Sequence, residues 1–121
     1  MKAQAASYSD EQINDIAAYL ESAGPELDPA AAPKGEAPAA GAACAACHGA
    51  AGVSAISTNP NLAGQHLDYL QEAVKQYKDG TRKGPNAIAM QAQLGAISDE
   101  DLEAVLKFYA SQDGLTALPM D

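Results

Sequence analysis

Residues 44–48 read CAACH and hold both cysteines of the chain and one of its two histidines. Two thiols at i and i+3, followed directly by an imidazole, can do one of four things: bind zinc, cycle as a dithiol, close a disulfide, or add across the two vinyl groups of a haem whose iron the histidine then ligates. Zinc ordinarily wants a second pair of ligands at fixed spacing. This chain offers only His66 as a further good donor, so carboxylates would have to fill in weakly. A thioredoxin-like dithiol wants a βαβ context, which the helical patterning does not supply. A disulfide between residues this close closes a tiny loop and constrains little. Covalent haem attachment is the reading the pattern favours, with the other three left open.

A large apolar cofactor also answers a deficit in the composition. The 121 residues suit one domain, and 47% are hydrophobic, but much of that is alanine beside one Phe, five Tyr and no Trp. Domains this small need a staple, because the apolar area they bury barely offsets conformational entropy. The net charge of −9 argues against binding a nucleic-acid backbone and fits a basic or dipolar protein partner. No apolar run approaches the roughly 20 residues of a membrane span. The start, MKAQAASYSDEQ, lacks the apolar core of a secretory signal. Any membrane association is therefore expected only through a partner.

The periodicity is helical throughout, and the predicted class is all-α. SDEQINDIAAYLES, Ser9 to Ser22, opens with a Ser-x-x-Gln capping box and places Ile13, Ile16, Ala17 and Leu20 on one face. After Gly24-Pro25 the composition turns Pro- and Ala-rich, which suits an extended linker. The expected organisation is an amphipathic helix over 1–23, a linker over 24–36 that ends about Gly35, and a main domain over 37–121. Within that domain a short helix through APAAGAACAAC delivers His48. A turn-rich stretch follows, then a helix with Leu67, Leu70, Val74 and Tyr77 on one face that stops at Gly80. TRKGPN reads as a loop. The last helix, SDEDLEAVLKFYAS, takes Ser98 as its cap and carries the stripe Leu102, Val105, Leu106 and Tyr109. Its acidic run Asp99-Glu100-Asp101 lies in the first turn, where it stabilises the helix dipole.

MKAQAASYSDEQINDIAAYLES aligns without a gap on MQAQLGAISDEDLEAVLKFYAS. Met1 falls on Met90, Ser9 on Ser98, Ile13 on Leu102, Ile16 on Val105 and Tyr19 on Phe108. The pattern reads as an internal repeat of which the first copy contributes only its tail.

A low-spin haem needs a sixth ligand, and a methionine thioether favours the reduced iron. The candidates are Met1, Met90 and Met120. Met90 sits between the middle and last helices, where a loop is expected to bring its sulfur to the iron.

CAACHG, NPNLAGQ, DYLQEAVKQYKDGTR and Met90 ahead of a Ser-Asp-Glu helix occur in that order, and the chain resembles class I cytochromes c over about Gly41 to Ser111. More narrowly it is similar to one half of the two-haem cytochrome c4 family. The resemblance implies a small fold of about four or five helices around one covalent haem c, with an extra N-terminal helix. It implies thioethers at Cys44 and Cys47 and axial ligands His48 and Met90. It also implies that the Pro60 carbonyl accepts the other ring N–H of His48, and that Arg82 pairs with a haem propionate. A solvated surface arginine is the alternative for Arg82. His66 reads as a surface residue at a helix start, and Tyr69 and Tyr77 as packing. The first half's own CxxCH is missing, so the chain is expected to be a fragment or altered start of a two-haem protein, with Met1 an orphaned ligand.

The expected function is that of a one-electron carrier, not an enzyme. It would pass electrons to a redox protein such as a terminal oxidase or another cytochrome. The resemblance places haem attachment, and hence the protein, in the periplasm. The alternative is a haem domain with an open or displaceable sixth site, acting in catalysis or in gas or redox sensing. The apolar face of the N-terminal helix makes a homodimer through that helix an expectation to test.

Overall fold

The computed structural model describes residues 2–23 and 27–114, whose regular structure is all helical, with no strand among the described residues. The chain runs α1 (Lys2–Ala5), α2 (Asp10–Ala23), a single 3-10 turn (Ala39–Gly41), α3 (Ala42–His48), α4 (Leu67–Lys78), α5 (Ala87–Gly95) and α6 (Asp99–Ala110). The predicted all-α class is what is found. None of these helices is long and apolar enough to cross a membrane.

The caps form as the sequence predicts. At the start of α2 the Ser9 amide donates to Gln12 Oε1 at 3.0 Å and the Gln12 amide donates to Ser9 Oγ at 3.2 Å, a reciprocal capping box. At α6 the Asp101 amide donates to Ser98 Oγ at 3.1 Å, and Asp101 in place of Gln leaves the return bond out. The two helices differ in what they cover. α6 buries Leu102, Val105, Leu106 and Tyr109, whereas α2 buries nothing. At the matching repeat positions Ile13 is 39% exposed, Ile16 46% and Leu20 62%. Ser98→Ala is therefore expected to lower the unfolding free energy by about 1 kcal/mol. A denaturant midpoint shift at unchanged slope reads this out. Ser9→Ala, at the end of an unpacked helix, is expected to leave the same midpoint where it is.

α6 is the centre of the fold because its one apolar face meets several neighbours. Leu102 and Leu106 join Leu70 of α4 and Leu94 of α5 in one buried cluster, against which Leu62, Leu67, Val74, Tyr77, Met90 and Ile97 pack. Val105 meets the 3-10 turn, where a side chain on Gly41 would stand 3.4 Å from its Cγ2. A glycine there lets the two helices approach closely.

One expectation needs correction. Met90 does not lie in a loop: it sits on α5, whose backbone bonds begin with the Met90 amide donating to the Asn86 carbonyl at 3.1 Å. AIAMQAQLG shows no clean apolar stripe, and only Leu94 of it is buried. Its Ala, Met, Gln and Leu are strong helix formers, so propensity builds this helix where periodicity gives no signal. The last residues of the Pro/Ala segment are anchored to the end of the chain's described part. Gln112, 3% exposed, accepts from the Lys34 amide at 2.7 Å and donates to the Lys34 carbonyl at 2.9 Å. The Lys34 ammonium meets Asp113 at 2.8 Å. One buried amide thus satisfies both main-chain groups of Lys34.

Candidate haem site

α3 is short, alanine-rich and placed so that Cys44, Cys47 and His48 fall at i, i+3 and i+4, which puts all three on one helix face. Both cysteines are free thiols, Cys44 half-buried and Cys47 exposed. Burial pushes the Cys44 thiol up, a main-chain hydrogen bond opposes this, and the neighbouring Cys47 adds to the rise. Among the described residues no cluster of three or more His, Cys, Asp or Glu assembles around a point that could hold a metal ion.

His48 ends α3 and is 7% exposed. Its Nδ1 lies 2.9 Å from the Pro60 carbonyl oxygen. A carbonyl only accepts, so Nδ1 carries the proton and Nε2 keeps its lone pair free for a metal. The helix stops there because Gly49 takes φ +87° and ψ 154°, a backbone region that is essentially glycine-only. A Cβ at Gly49 would stand 2.1 Å from the Val53 carbonyl oxygen, so the chain turns back against itself immediately after the histidine.

The loop that supplies the Pro60 carbonyl is tied down at several points. Ser54 Oγ and Asn59 Nδ2 both donate to the Cys47 carbonyl, at 2.9 and 3.0 Å, and the Ser54 amide donates to Asn61 Oδ1 at 2.8 Å. The amides of Leu62 and Ala63 donate to the Gly52 carbonyl at 2.7 and 3.0 Å. α6 closes the arrangement. The Tyr109 hydroxyl donates to the Gly49 carbonyl at 3.2 Å, and the Tyr109 carbonyl accepts from Gly64 at 3.0 Å. The histidine's orientation is thus over-determined by main-chain bonds from both sides.

Of the six residues singled out in the sequence, Cys44, Cys47, His48 and Pro60 come together. Met90 is half-buried on α5, packed against the Leu70, Leu94, Leu102 and Leu106 cluster. Arg82 is not a free surface cation. Its Nη1 donates to Gln76 Oε1 at 3.0 Å, its Nη2 to the Tyr69 hydroxyl at 3.3 Å, and its guanidinium lies 5.3 Å from the Tyr77 ring centroid. His66 is exposed at the start of α4, as expected. Met1 and Met120 lie outside the described residues. The roles of Ser54, Asn59 and Gln112 gave no sequence signal. Each acts on a main-chain group 7, 12 or 78 residues away, and only the fold reveals such pairs. The donor set fits a covalent haem: two free thiols and a buried imidazole with only Nε2 open share one face of α3.

A family model for cytochrome c matches residues 32–113. Cytochrome c-554(548) of Halomonas halodenitrificans is 43% identical over 70 residues, which cover 58% of this chain and 84% of that protein. A thiosulfate dehydrogenase electron acceptor of Stutzerimonas stutzeri is 34% identical over 125 residues, covering 92% of this chain and 57% of its own length. Cytochrome c4 of Pseudomonas aeruginosa is 41% identical over 71 residues, covering 59% of this chain and 34% of that protein. The chain thus spans about half of the second relative and a third of the third.

Proposed function

Because the chain belongs to the cytochrome c family and its CxxCH fits one covalent haem c, we propose that it is a one-electron carrier with His48 and Met90 as the axial pair. When bound, the haem supplies a ferric/ferrous couple whose cycling makes and breaks no bond. Cys44 and Cys47 hold it through thioethers. His48 would present Nε2 to the iron, while its Nδ1–H donates to the Pro60 carbonyl, with Nδ1 and O 2.9 Å apart, and so fixes the ring. That buried, fixed tautomer is the observation that carries the reading.

Met90 would supply the second ligand through its thioether sulfur. Its anchoring in the leucine cluster limits how far the ligand moves between redox states. Arg82, held by Gln76 and Tyr69, is assigned to a haem propionate, with the donors left over from those two bonds. Residues 37–121 form the haem domain, and 24–36 form the linker. The exposed Ile13, Ile16 and Leu20, at positions where α6 buries its stripe, support reading 1–23 as the closing helix of a companion cytochrome domain. A second copy of the chain is the other occupant of that face, and light scattering separates the two. The protein works in the periplasm. Its electrons come from a dehydrogenase of the kind for which the Stutzerimonas relative is named, and pass to a terminal oxidase or another cytochrome.

The test is an intact mass with optical spectra of both redox states, after expression with the haem-attachment machinery. One added haem and a sulfur-to-ferric-iron charge-transfer band are expected. Met90→Ala is expected to abolish that band and lower the reduction potential by a few tenths of a volt, well within the roughly 0.8 V that axial ligands command. A high-spin spectrum with ready CO binding in the unaltered protein would move the reading to an open sixth site, in catalysis or sensing.

A further inference from the structure

Among the described residues the buried polar or charged side chains are His48 and Gln112, at 7% and 3% exposure. Burying an amide costs free energy unless its hydrogen bonds are remade. Gln112 Oε1 accepts from the Lys34 amide at 2.7 Å, and its Nε2 donates to the Lys34 carbonyl at 2.9 Å and to the Phe108 carbonyl at 3.0 Å. The Phe108 bond serves the end of α6. The other two hold both main-chain groups of a residue 78 positions earlier and do nothing for the helix.

Lys34 ends a segment with a shape of its own. The Ala30 amide donates to Asp28 Oδ1 at 2.9 Å and the Ala31 amide to the Asp28 carbonyl at 3.1 Å, a turn closed within the segment. Leu27, Ala31 and Ala32 share a cleft with Ala51, Val53 and Gln112. Ala51 and Val53 belong to the loop between His48 and Pro60, and the Val53 carbonyl is the group that a Cβ on Gly49 would strike. Two residues after Gln112, a Cβ on Gly114 would collide with the Ala63 carbonyl oxygen, three residues beyond Pro60. The turn that follows α6 therefore holds the segment through Gln112 and abuts the far end of the histidine loop through Gly114.

We propose that Gln112 is a positioning residue for the haem site: by clamping Lys34 it holds residues 27–34 as a strap along Ala51 and Val53, and the strap keeps solvent from the hydrogen bond between His48 and Pro60. The inference rests on the reading of His48 as a haem ligand. With the strap in place, water does not compete for the Pro60 carbonyl, and the Nδ1–H keeps its partner at 2.9 Å. With the strap released, Ala51 and Val53 lose a wall and water reaches the loop. The added polarity favours the ferric haem, which carries one more positive charge. The Lys34 ammonium is not the clamp, because its pair with Asp113 is 62% and 69% exposed, and ion pairs so open to water stabilise little.

The experiment is hydrogen exchange on the ferrous, haem-loaded protein, followed by NMR, with the reduction potential of the same samples. In the unaltered protein the Lys34 amide is expected to exchange about tenfold slower than the Glu36 amide, although both residues are exposed. In Gln112→Ala the His48 Nδ1–H is expected to exchange about tenfold faster relative to the amide of Val74 in the middle of α4, and the potential to fall. Lys34→Ala keeps both main-chain groups for Gln112 and is expected to change neither. Should Gln112→Ala yield no folded protein, Gln112→Glu replaces it, since it keeps the acceptor for the Lys34 amide and loses only the donors; the same direction is expected. Three results would overturn the proposal: a Lys34 amide as fast as that of Glu36, a Gln112 variant that speeds His48 and Val74 alike and so reports lost stability only, or a Lys34→Ala that matches it. The spectrum taken beforehand separates the failures. With no thioether-linked haem the ligand reading and the strap's role fall together, whereas a normal haem with any of these three results removes the strap's role alone.

Discussion

Gly49→Ala is expected to cost on the order of 3–5 kcal/mol of stability and most of the haem-loaded yield, by combining backbone strain with overpacking. The position fails an alanine twice. Its φ of +87° with ψ 154° lies where only glycine is at ease, and the new Cβ would stand 2.1 Å from the Val53 carbonyl oxygen. That oxygen is main chain, so relief means moving the loop. The loop bonds back to the Gly49 carbonyl through the Gly52 amide, and the same carbonyl accepts the Tyr109 hydroxyl. The displacement would therefore reach His48 and its bond to Pro60. Gly80→Ala is the control. Its φ is +78°, but nothing stands within 4 Å of the new Cβ. Its cost should stay at about 1 kcal/mol, the price of the left-handed backbone alone. Denaturant midpoints of the two variants, followed by helical circular dichroism, decide the matter. Equal midpoints would mean that the Val53 contact relaxes without consequence.

Much of this fold is legible in the sequence, for identifiable reasons. The capping box at Ser9 and the Ser98 cap are local devices, written within four residues, and both form. The stripes of α4 and α6 are visible because both helices bury one side and expose the other, so a period near 3.6 survives in the letters. α5 defeats the same test: it is apolar nearly all round, and only Leu94 of it is buried. The site divides in the same way. CAACH is contiguous, and its meaning follows from one helix turn. The Pro60 bond to His48 entered the sequence reading only through the family resemblance, and it is present at 2.9 Å. The ties of Ser54 and Asn59 to the Cys47 carbonyl, and of Gln112 to Lys34, join a side chain to a main-chain group elsewhere. No composition or spacing encodes such pairs.

Tyr109 gives the second large effect, and its two variants separate packing from hydrogen bonding. The ring is 2% exposed, stands beside Phe108 with centroids 5.5 Å apart, and lies against Gly52 so closely that a Cβ there would be 2.8 Å from its Cδ1. Tyr109→Ala is expected to cost about 3–5 kcal/mol, the range for deleting a buried aromatic side chain. The ring also borders an open apolar cleft lined by α3, α6 and the segment before α3, which the deletion would deepen. Tyr109→Phe keeps the ring and removes only the hydrogen bond to the Gly49 carbonyl, for about 1 kcal/mol. The two variants also differ in their pH response. Burial pushes the Tyr109 hydroxyl up to about 12, with a lesser contribution from Cys44 that thioether formation would remove. The folded state thus holds this proton more tightly than the unfolded chain, whose tyrosines titrate at about 10. The resulting stabilisation is complete below pH 10 and is lost as the pH rises to 12. Tyr109→Phe has no such proton to lose. Its stability deficit relative to the unaltered protein should shrink across that window, while the deficit of a packing defect elsewhere would stay constant. A deficit that remained flat from pH 9 to 12 would mean that the buried phenol does not resist ionisation, and with that the tie between α6 and the His48 loop would lose its support.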